Sequence, residues 1–351
     1  MRLQKGIQLF FICCCGILGV GLFSVPTAAA YFGQTFYWGH LLLGGTLAVA
    51  PILFCSLVSD RALPKAYMTH FPTTGKWLCV AHAAVYAALT ACLLAYYTHT
   101  LRGWFLDGVP RFLTALFLCA ICVFAAARPM RTLFRTVSFL TVFVLLAVLS
   151  MRIVMLFCGD TRNLLPLCEQ AYVRTLPQGV AFLAPFFIFS GVLTAVDAPK
   201  RTKVWAGLFS VVACTLLLIL ASAACISILG PIQTAHNLNS SVLAMKNLNL
   251  SAMDFFQRGD LVFILTWSML ILCTGALGAH LPLQALHAAF PRVKRSAFAL
   301  ALFLVCLWSA LVLPSEETAL QLLQNTAQFG GCIVLILLPT VLCLQKRRKR
   351  R

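Results

Sequence analysis

Charged residues are scarce in this chain, and acidic residues are scarcer still. Only 10% of its 351 residues are charged and only nine are acidic, whereas 61% are hydrophobic. A soluble globular domain has about 25% charged and about 45–50% apolar residues. The composition therefore excludes an ordinary soluble domain and indicates an all-α polytopic membrane protein.

Catalytic and metal-binding patterns are also missing. The sequence has no Ser/His/Asp or Cys/His constellation, no phosphate-binding glycine loop and no paired carboxylates at a plausible spacing. Its 16 cysteines form no paired CxxC clusters, and the one CxxC, Cys119 with Cys122, lies in an apolar segment. We therefore expect no enzyme activity, no metal and no cofactor. Whether Cys158 pairs with Cys168 stays open.

What the chain does contain is long hydrophobic runs. About 17 to 25 apolar residues are enough to span a bilayer as a helix, and the sequence offers ten such runs. They are residues 9–31, 38–57, 78–100, 110–127, 133–157, 179–196, 204–229, 261–283, 297–313 and 329–344. We predict a single transmembrane domain over residues 1–345 and a basic cytoplasmic tail over 346–351.

The placement of basic residues supports this topology. If the N-terminus lies inside, the inner segments hold 20 of the 27 Lys and Arg residues but only two of the nine acidic residues, Asp60 and Asp197. Cytoplasmic loops carry an excess of Lys and Arg, so both termini are predicted on the cytoplasmic side. The basic balance thus reflects topology and contact with anionic membrane lipids, and it does not indicate nucleic-acid binding.

The N-terminus imitates a cleavable signal peptide, because Arg2 and Lys5 precede an apolar run that ends in alanines at 28–30. The run is longer than the usual h-region of about 7–15 residues. Removing it would also invert the charge pattern, so we expect it to be retained.

Two of the ten segments contain helix-breaking residues. The first carries three glycines and Pro26, and the sixth carries Pro185 and Gly191. Five spans that start inside, over 1–157, and five that start outside, over 179–345, meet the condition for an inverted repeat. Interrupted helices persist in hydrocarbon only where protein or a cavity satisfies the freed backbone groups. The breaks therefore predict a substrate site at mid-membrane, although the glycines could instead simply allow close helix packing.

The candidate ligand-binding residues follow from the two breaks. Unwinding at 19–21 would free backbone N–H groups for a carboxylate, and a break at 189–191 would add further backbone groups and a hydroxyl. Polar and aromatic residues of the third and eighth segments are candidates to wall the pocket, or else ordinary packing and interface residues. The candidate set is Gly19, Val20, Gly21, Leu22, Thr90, Tyr97, Phe189, Ser190, Gly191, Trp267 and Ser268.

Ionisable residues deep in a membrane usually mark ion or proton pathways. The predicted spans contain no Asp, Glu or Lys at mid-depth. We expect Arg152 to extend to the outer interface, and His82, His99 and His280 to make satisfied polar contacts near helix ends. The sequence thus argues against proton coupling, while sodium held by backbone carbonyls stays open.

Five short motifs, found in order, carry a family resemblance. They are GVGLF at 19–23 with Pro26 and Gly33-Gln34; Phe71-Pro72 with GKWL at 75–78; AAAR at 125–128 with Arg135; NLLP at 163–166; and QRGDL at 257–261 with Trp267. Over nearly its whole length the chain resembles the endospore germination permeases. These are the B subunits of spore nutrient-germinant receptors, and they belong to the amino acid/polyamine/organocation (APC) transporter superfamily.

This resemblance implies a LeuT-like fold of ten helices, with broken first and sixth helices, in the inner membrane of a spore. It also implies a small nutrient ligand, often an amino acid, and a receptor complex with an A-type membrane subunit and a C-type lipoprotein. Two functions are left to compare: a germinant-binding receptor subunit and a secondary amino-acid transporter of the same superfamily. A purely structural scaffold would lack the pocket.

Overall fold

The computed structural model of the protein describes residues 2–71, 74–167, 170–248 and 259–348. All elements in these ranges are helical, which confirms the all-α prediction. The α-helices are α1 (Arg2–Gly33), α2 (Tyr37–Val58), α3 (Leu63–His70), α4 (Gly75–Trp104), α5 (Arg111–Ala127), α6 (Met130–Cys158), α7 (Gln170–Val173), α8 (Leu176–Leu183), α9 (Lys200–Leu229), α10 (Pro231–His236), α11 (Ser240–Lys246), α12 (Gly259–Ala289), α13 (Arg295–Val312), α14 (Glu316–Gly331) and α15 (Leu338–Arg348). A 3₁₀ segment (Ala184–Ala195) follows α8, and a π-helical segment (Cys332–Leu337) joins α14 to α15.

Seven helical stretches in the described ranges are long and apolar enough to cross a membrane, or eight if the bent pair around 184 forms one span. They are Lys5–Val58, Gly75–Trp104, Met130–Cys158, Lys200–Leu229, Val262–Ala289, Arg295–Val312 and Glu316–Gln345, with the bent pair Leu176–Leu183 and Phe186–Ala195. The first of these contains both α1 and α2, and α5 is a shorter apolar helix. Each of the ten predicted segments falls in helix. The number of crossings, the inverted repeat and the LeuT-like arrangement stay predictions.

Helix α1 forms the centre of the bundle. Every residue from 12 to 26 is buried, and α1 packs against α6, α9, α12 and the 3₁₀ segment. A helix that is apolar on all sides belongs in the interior. Helices α5, α6 and α13 instead expose one apolar face each, with large residues such as Phe117, Phe143 and Trp308. That exposed apolar surface fits a lipid environment.

The predicted break in the first segment is wrong, because α1 runs as a continuous α-helix through 19–21. Gly19 packs against α12, where a Cβ on Gly19 would lie 1.9 Å from Thr274 Oγ1. The Thr274 hydroxyl donates to the Cys15 carbonyl at 2.8 Å, one turn before Gly19. Because Gly19 has no side chain, α12 comes close enough to hydrogen-bond to the α1 backbone. Close helix packing, the alternative to unwinding, therefore explains this glycine.

The sixth segment does depart from α-helical geometry. Helix α8 ends at Leu183, and the chain continues as the 3₁₀ segment to Ala195, the two parts being bent by 40°. The irregularity thus begins before the predicted position at 189–191 and includes it. From Phe186 to Val196 the segment is buried, so its loosened backbone is enclosed by protein.

The last span begins earlier than predicted, because α14 starts at Glu316 and not near 329. Its start is capped: Ser315 Oγ accepts a hydrogen bond from the Thr318 N–H at 3.1 Å. Two glutamates occupy the first turn, where they favour the positive end of the helix. The capping serine and the two glutamates are visible in the sequence, but a prediction from hydropathy alone does not use them.

Polar contacts gather at two ends of the bundle as the charge pattern predicts. At the end predicted to be inner, Asp197 binds Lys65, and the Lys203 ammonium donates to the Ser59 carbonyl at 3.0 Å. At the end predicted to be outer, Glu316 accepts hydrogen bonds from Thr100 and Asn239. We call these the inner and outer ends; which one faces the cytoplasm stays a prediction.

The Asp197 carboxylate lies outside the spans and is held in its charged form. Partial burial opposes ionisation, but hydrogen bonds from Lys65 and from the Ala62 N–H, at 2.8 Å, lower the pKa of Asp197 below its ordinary value. The loop after α2 is thereby tied to the end of the sixth segment.

Some sequence predictions concern residues outside the described ranges. Cys158 is exposed, but Cys168 is not described, so their pairing is untested. The same holds for Pro72, for Gln257 and Arg258 of the QRGDL stretch and for the tail beyond residue 348.

Candidate ligand site

Helix α1 and the sixth segment are in close contact at Gly16. A Cβ on Gly16 would lie 2.9 Å from the Phe189 carbonyl oxygen, so only glycine permits this approach. One turn further along α1, Val20 and Phe189 line a common cavity with Gln324 of α14. Two predicted site residues, Val20 and Phe189, therefore do face each other.

This cavity, which we call the central cavity, is nearly closed. The space open to the centre of a water-sized sphere is about 10 Å³, and the remaining lining residues are Phe186, Ile188, Leu323 and Ala327. A cavity needs about 10–15 Å³ by this measure to hold one water molecule. The central cavity therefore has room for about one water molecule at most.

The third and eighth segments reach the same region through Thr90 and Gly278. The Thr90 hydroxyl donates to the Tyr86 carbonyl at 2.7 Å. A Cβ on Gly278 would lie 2.7 Å from Thr90 Oγ1 and 3.3 Å from Phe189 Cε1, so α4, α12 and the sixth segment meet here. The buried Ser190 hydroxyl donates to the Phe187 carbonyl at 2.6 Å, and Ser190 is not part of the lining of the central cavity.

Gly191 lies against a group of buried polar side chains that sequence reasoning did not assign to the site. A Cβ on Gly191 would be 1.9 Å from Tyr86 Oη. The Tyr86 ring is 5.1 Å from His82, which in turn is 6.4 Å from Tyr67. We call Tyr67, His82 and Tyr86 the inner polar cluster.

The inner polar cluster lacks hydrogen-bond partners among the described residues. Both Tyr hydroxyls and both His82 ring nitrogens are buried without one. The described residues give His82 no such contact, whereas His280 does meet the Ala126 carbonyl at 2.9 Å. Buried unpaired polar groups are costly and call for a function or for bound water.

The predicted site residues Tyr97 and Trp267 belong to an aromatic cluster with Phe23, which lies one helical turn after Val20 on α1. Phe23 stacks on Trp267 with ring centroids 4.0 Å apart, and Tyr97 meets the Trp267 ring edge to face at 4.9 Å. Ser268 lies beside the Tyr97 side chain. Trp267 is wholly buried, and none of these residues lines the central cavity.

The remaining candidates on α1 point elsewhere. Gly21 faces α9, where its Cβ would lie 3.2 Å from the end of the Leu218 side chain. Leu22 is buried, and its carbonyl accepts a hydrogen bond from Ser241 at 3.0 Å. The structure thus places Gly21 on a packing face and not beside Phe189.

A second, larger cavity, the outer vestibule, lies on the outer side of the central cavity. Its space open to water-sized spheres is about 230 Å³, and its lining includes Ser24, Thr27, Glu317 and Gln324. Gln324 lines both cavities. It is therefore the one polar side chain shared between the outer vestibule and the central cavity, and the sequence prediction missed it because the last predicted span begins only at residue 329.

Arg152 does not extend to the interface as expected. Its side chain is 1% exposed, because α9, α11 and α12 enclose it. In the described part of the chain, no group of three or more His, Cys, Asp or Glu residues could hold a metal ion.

These features define a polytopic α-helical membrane protein with a closed internal cavity where an irregular helix crosses a buried one. The model of the spore germination protein family matches residues 5–318, and the chain belongs to this family of membrane permeases. The family assignment made from the five motifs is thereby confirmed. A search of curated proteins gave no match.

Proposed function

We propose that this protein is the nutrient-binding membrane subunit of a spore germinant receptor, with an amino acid as its ligand. The observation that carries the proposal is the central cavity, where Val20, Phe189 and Gln324 meet beside an irregular backbone segment. Family membership supports a role in germination. Interrupted helices at such crossings supply backbone groups for small polar ligands.

The chemistry of the cavity suits recognition of a small zwitterion. Gln324 offers both a donor and an acceptor at the central cavity, and the irregular backbone of the sixth segment runs along it. The surrounding residues are apolar, as in most small-molecule sites. Ligand entry from the outer vestibule past Gln324 would require movement of α14.

A receptor is favoured over a concentrative transporter by the nature of the buried groups. Among the described residues, the partly buried carboxylate of Glu316 and the buried ammonium of Lys203 lie at opposite ends of the bundle and are engaged locally. Neither lies beside the central cavity, where coupling carboxylates of proton-driven transporters are expected. The alternative function is a secondary amino-acid transporter of the APC superfamily.

The proposed setting is the inner membrane of the spore, with both termini on the core side. The proposed partners are an A-type membrane subunit and a C-type lipoprotein, which would convert ligand occupancy into the germination response. The family resemblance supports this assembly.

Ligand-dependent thermal stabilisation of the purified full chain tests the proposal. The unfolding temperature would be measured in lipid nanodiscs with each of the common amino acids. At least one amino acid is expected to raise it, and substituting Gly191 by Leu is expected to abolish that rise. No response to any amino acid would contradict the proposal.

A further inference from the structure

The outer vestibule lies between one face of α14 and one face of α1. The residues that α14 contributes are Glu317, Leu320, Gln321 and Gln324. They follow the spacing i, i+3, i+4 and i+7, which places them on a single face of a helix. Helix α1 lines the opposite side with the same spacing, from Ser24 to Tyr31. The polar groups of the outer vestibule therefore run along two helices, three of them on α14.

The outer vestibule has an exposed mouth and a buried floor. Tyr31 is 63% exposed and Glu317 is exposed as well, whereas Ser24 is 3% and Gln324 is 8% exposed. Helix α14 begins at the outer end and rises about 1.5 Å per residue, so Gln324 lies about 10 Å deeper along the helix than Glu317. Glu317 therefore marks the mouth, and Gln324 marks the floor, where the central cavity begins.

Glu317 supplies a carboxylate at the mouth. It lies in the first turn of α14, where the helix dipole favours a negative group. Gln321 Nε2 donates to Glu317 Oε1 at 3.2 Å, and both residues belong to the lining. A carboxylate offers about four acceptor sites on its two oxygens. The contact with Gln321 uses one of them, so Glu317 can accept further hydrogen bonds from a donor in the outer vestibule.

The floor supplies two further acceptors. Gln324 is buried, and its side chain makes no hydrogen bond within the part of the chain that the structure describes. The Ser24 hydroxyl donates to the Val20 carbonyl at 3.0 Å, and its oxygen lines the outer vestibule as an acceptor. A buried amide without a partner is unfavourable, and a bound donor would remove this cost. The floor therefore favours a ligand that carries N–H groups.

Acceptors at the mouth and at the floor suit a primary ammonium group, which has three N–H donors and a positive charge. The rings of Tyr31 and Phe32 also line the vestibule, with centroids 5.1 Å apart, and aromatic faces attract cations. An anion would meet the Glu317 carboxylate first and be repelled. The space open to water-sized spheres is about 230 Å³, against about 10 Å³ in the central cavity. The outer vestibule thus has room for a small ligand.

We propose that the outer vestibule binds the ammonium group of the ligand, with Glu317 as the counter-charge at the mouth and Gln324 and Ser24 as acceptors at the floor. Glu317 then determines specificity, because it admits ammonium compounds and disfavours anions of similar size. That the ammonium belongs to an amino acid rests on the proposed function.

The first arm of the experiment measures apparent affinity by thermal shift of the full chain in nanodiscs. The probes are the amino acid that stabilises the wild type and its α-hydroxy acid, which has a neutral hydroxyl in place of the ammonium. Glu317→Gln is expected to lose about two- to fivefold in affinity for the amino acid and little for the hydroxy acid. Asp107→Asn, which removes an exposed carboxylate at the same end outside the described lining, should match the wild type. Equal losses for both probes, or none, would overturn the inference while the proposed function stands.

The second arm needs no ligand and decides the matter if no amino acid stabilises the chain and the proposed function fails. Gln321→Cys, in a Cys158→Ser background that removes an exposed thiol, places a thiol on the vestibule face one turn below Glu317. Aminoethyl and sulfonatoethyl methanethiosulfonate modify this thiol, and mass spectrometry follows each rate relative to that of free cysteine. The cationic reagent should react faster by about fourfold or more, a preference that Glu317→Gln removes and Asp107→Asn keeps. Equal relative rates, or a faster anionic reagent, would overturn the inference even if Glu317→Gln fails to fold.

Discussion

The hydroxyl of Tyr86 lies directly against Gly191, so that a Cβ at position 191 would approach Tyr86 Oη to 1.9 Å. This contact joins α4 to the irregular sixth segment, and the hydroxyl has no hydrogen-bond partner among the described residues. The inner polar cluster therefore touches the backbone that the proposed function assigns to ligand binding.

The first prediction concerns this contact. Gly191→Ala is expected to lower the free energy of unfolding by about 1–3 kcal/mol, because the new methyl group overpacks against Tyr86. Tyr86→Phe alone should leave stability unchanged or raise it, since the lost hydroxyl has no partner. The double variant should recover part of the loss, with a coupling of about 0.5–2 kcal/mol. Chemical unfolding in detergent measures all three, and strictly additive effects would show that the contact is not made.

The second prediction compares two glycines on α1. Gly19→Ala should destabilise by about 1–3 kcal/mol, because its Cβ would meet Thr274, whose hydroxyl bonds the α1 backbone. Gly21→Ala, two residues away, meets only the flexible end of Leu218 at 3.2 Å and should change stability by less than about 0.5 kcal/mol. The same unfolding assay tests the pair. Equal effects at both positions would contradict the packing explanation for Gly19.

The third prediction concerns pH. Because the folded-state pKa of Asp197 is lowered, its stabilisation is present above the unfolded pKa of about 3.9 and is lost as pH falls through the lower folded value. Asp197→Asn should therefore lower the unfolding temperature at neutral pH and flatten its decline in acid. The Lys65–Asp197 pair is half exposed, so Lys65→Met should cost below about 1 kcal/mol. If the unfolding temperature of Asp197→Asn falls in parallel with that of the wild type down to acid pH, this assignment is refuted.

The fourth prediction concerns Gln324. Gln324→Leu is expected to weaken ligand-dependent stabilisation with little loss of intrinsic stability, because Gln324 is the polar group common to the central cavity and the outer vestibule. Gln321→Leu, which changes the lining of the outer vestibule alone, is the matched control. Thermal shift with and without the amino acid measures both. Equal ligand responses in the two variants would remove Gln324 from the site.

The sequence predicted the helical segments well and their interruptions less well. Apolar runs reveal helices because burial in lipid and in the bundle selects the same residues. The role of Gly19 could not be read from sequence, since close packing and unwinding both require a residue without a side chain. The decisive partner, Thr274, lies on another helix more than 250 positions away.

The candidate site was predicted in part for a similar reason. Val20, Phe189 and Thr90 do converge, because they lie on segments that cross at the centre of the bundle. Gln324 and Arg152 were missed or misplaced. Gln324 lies on α14, a helix of modest hydropathy whose start is marked by the capping residue Ser315. Arg152 is enclosed by helices that come together only in the folded chain.

The most direct test of the central claim is a paired measurement on proteoliposomes that contain this chain alone. Equilibrium binding and time-dependent uptake of a labelled amino acid would be followed in the same vesicles, with and without proton and sodium gradients. The account predicts saturable binding that Gly191→Leu removes, without accumulation of the amino acid above its external concentration. Robust concentrative uptake driven by either gradient would contradict the receptor function and establish a transporter.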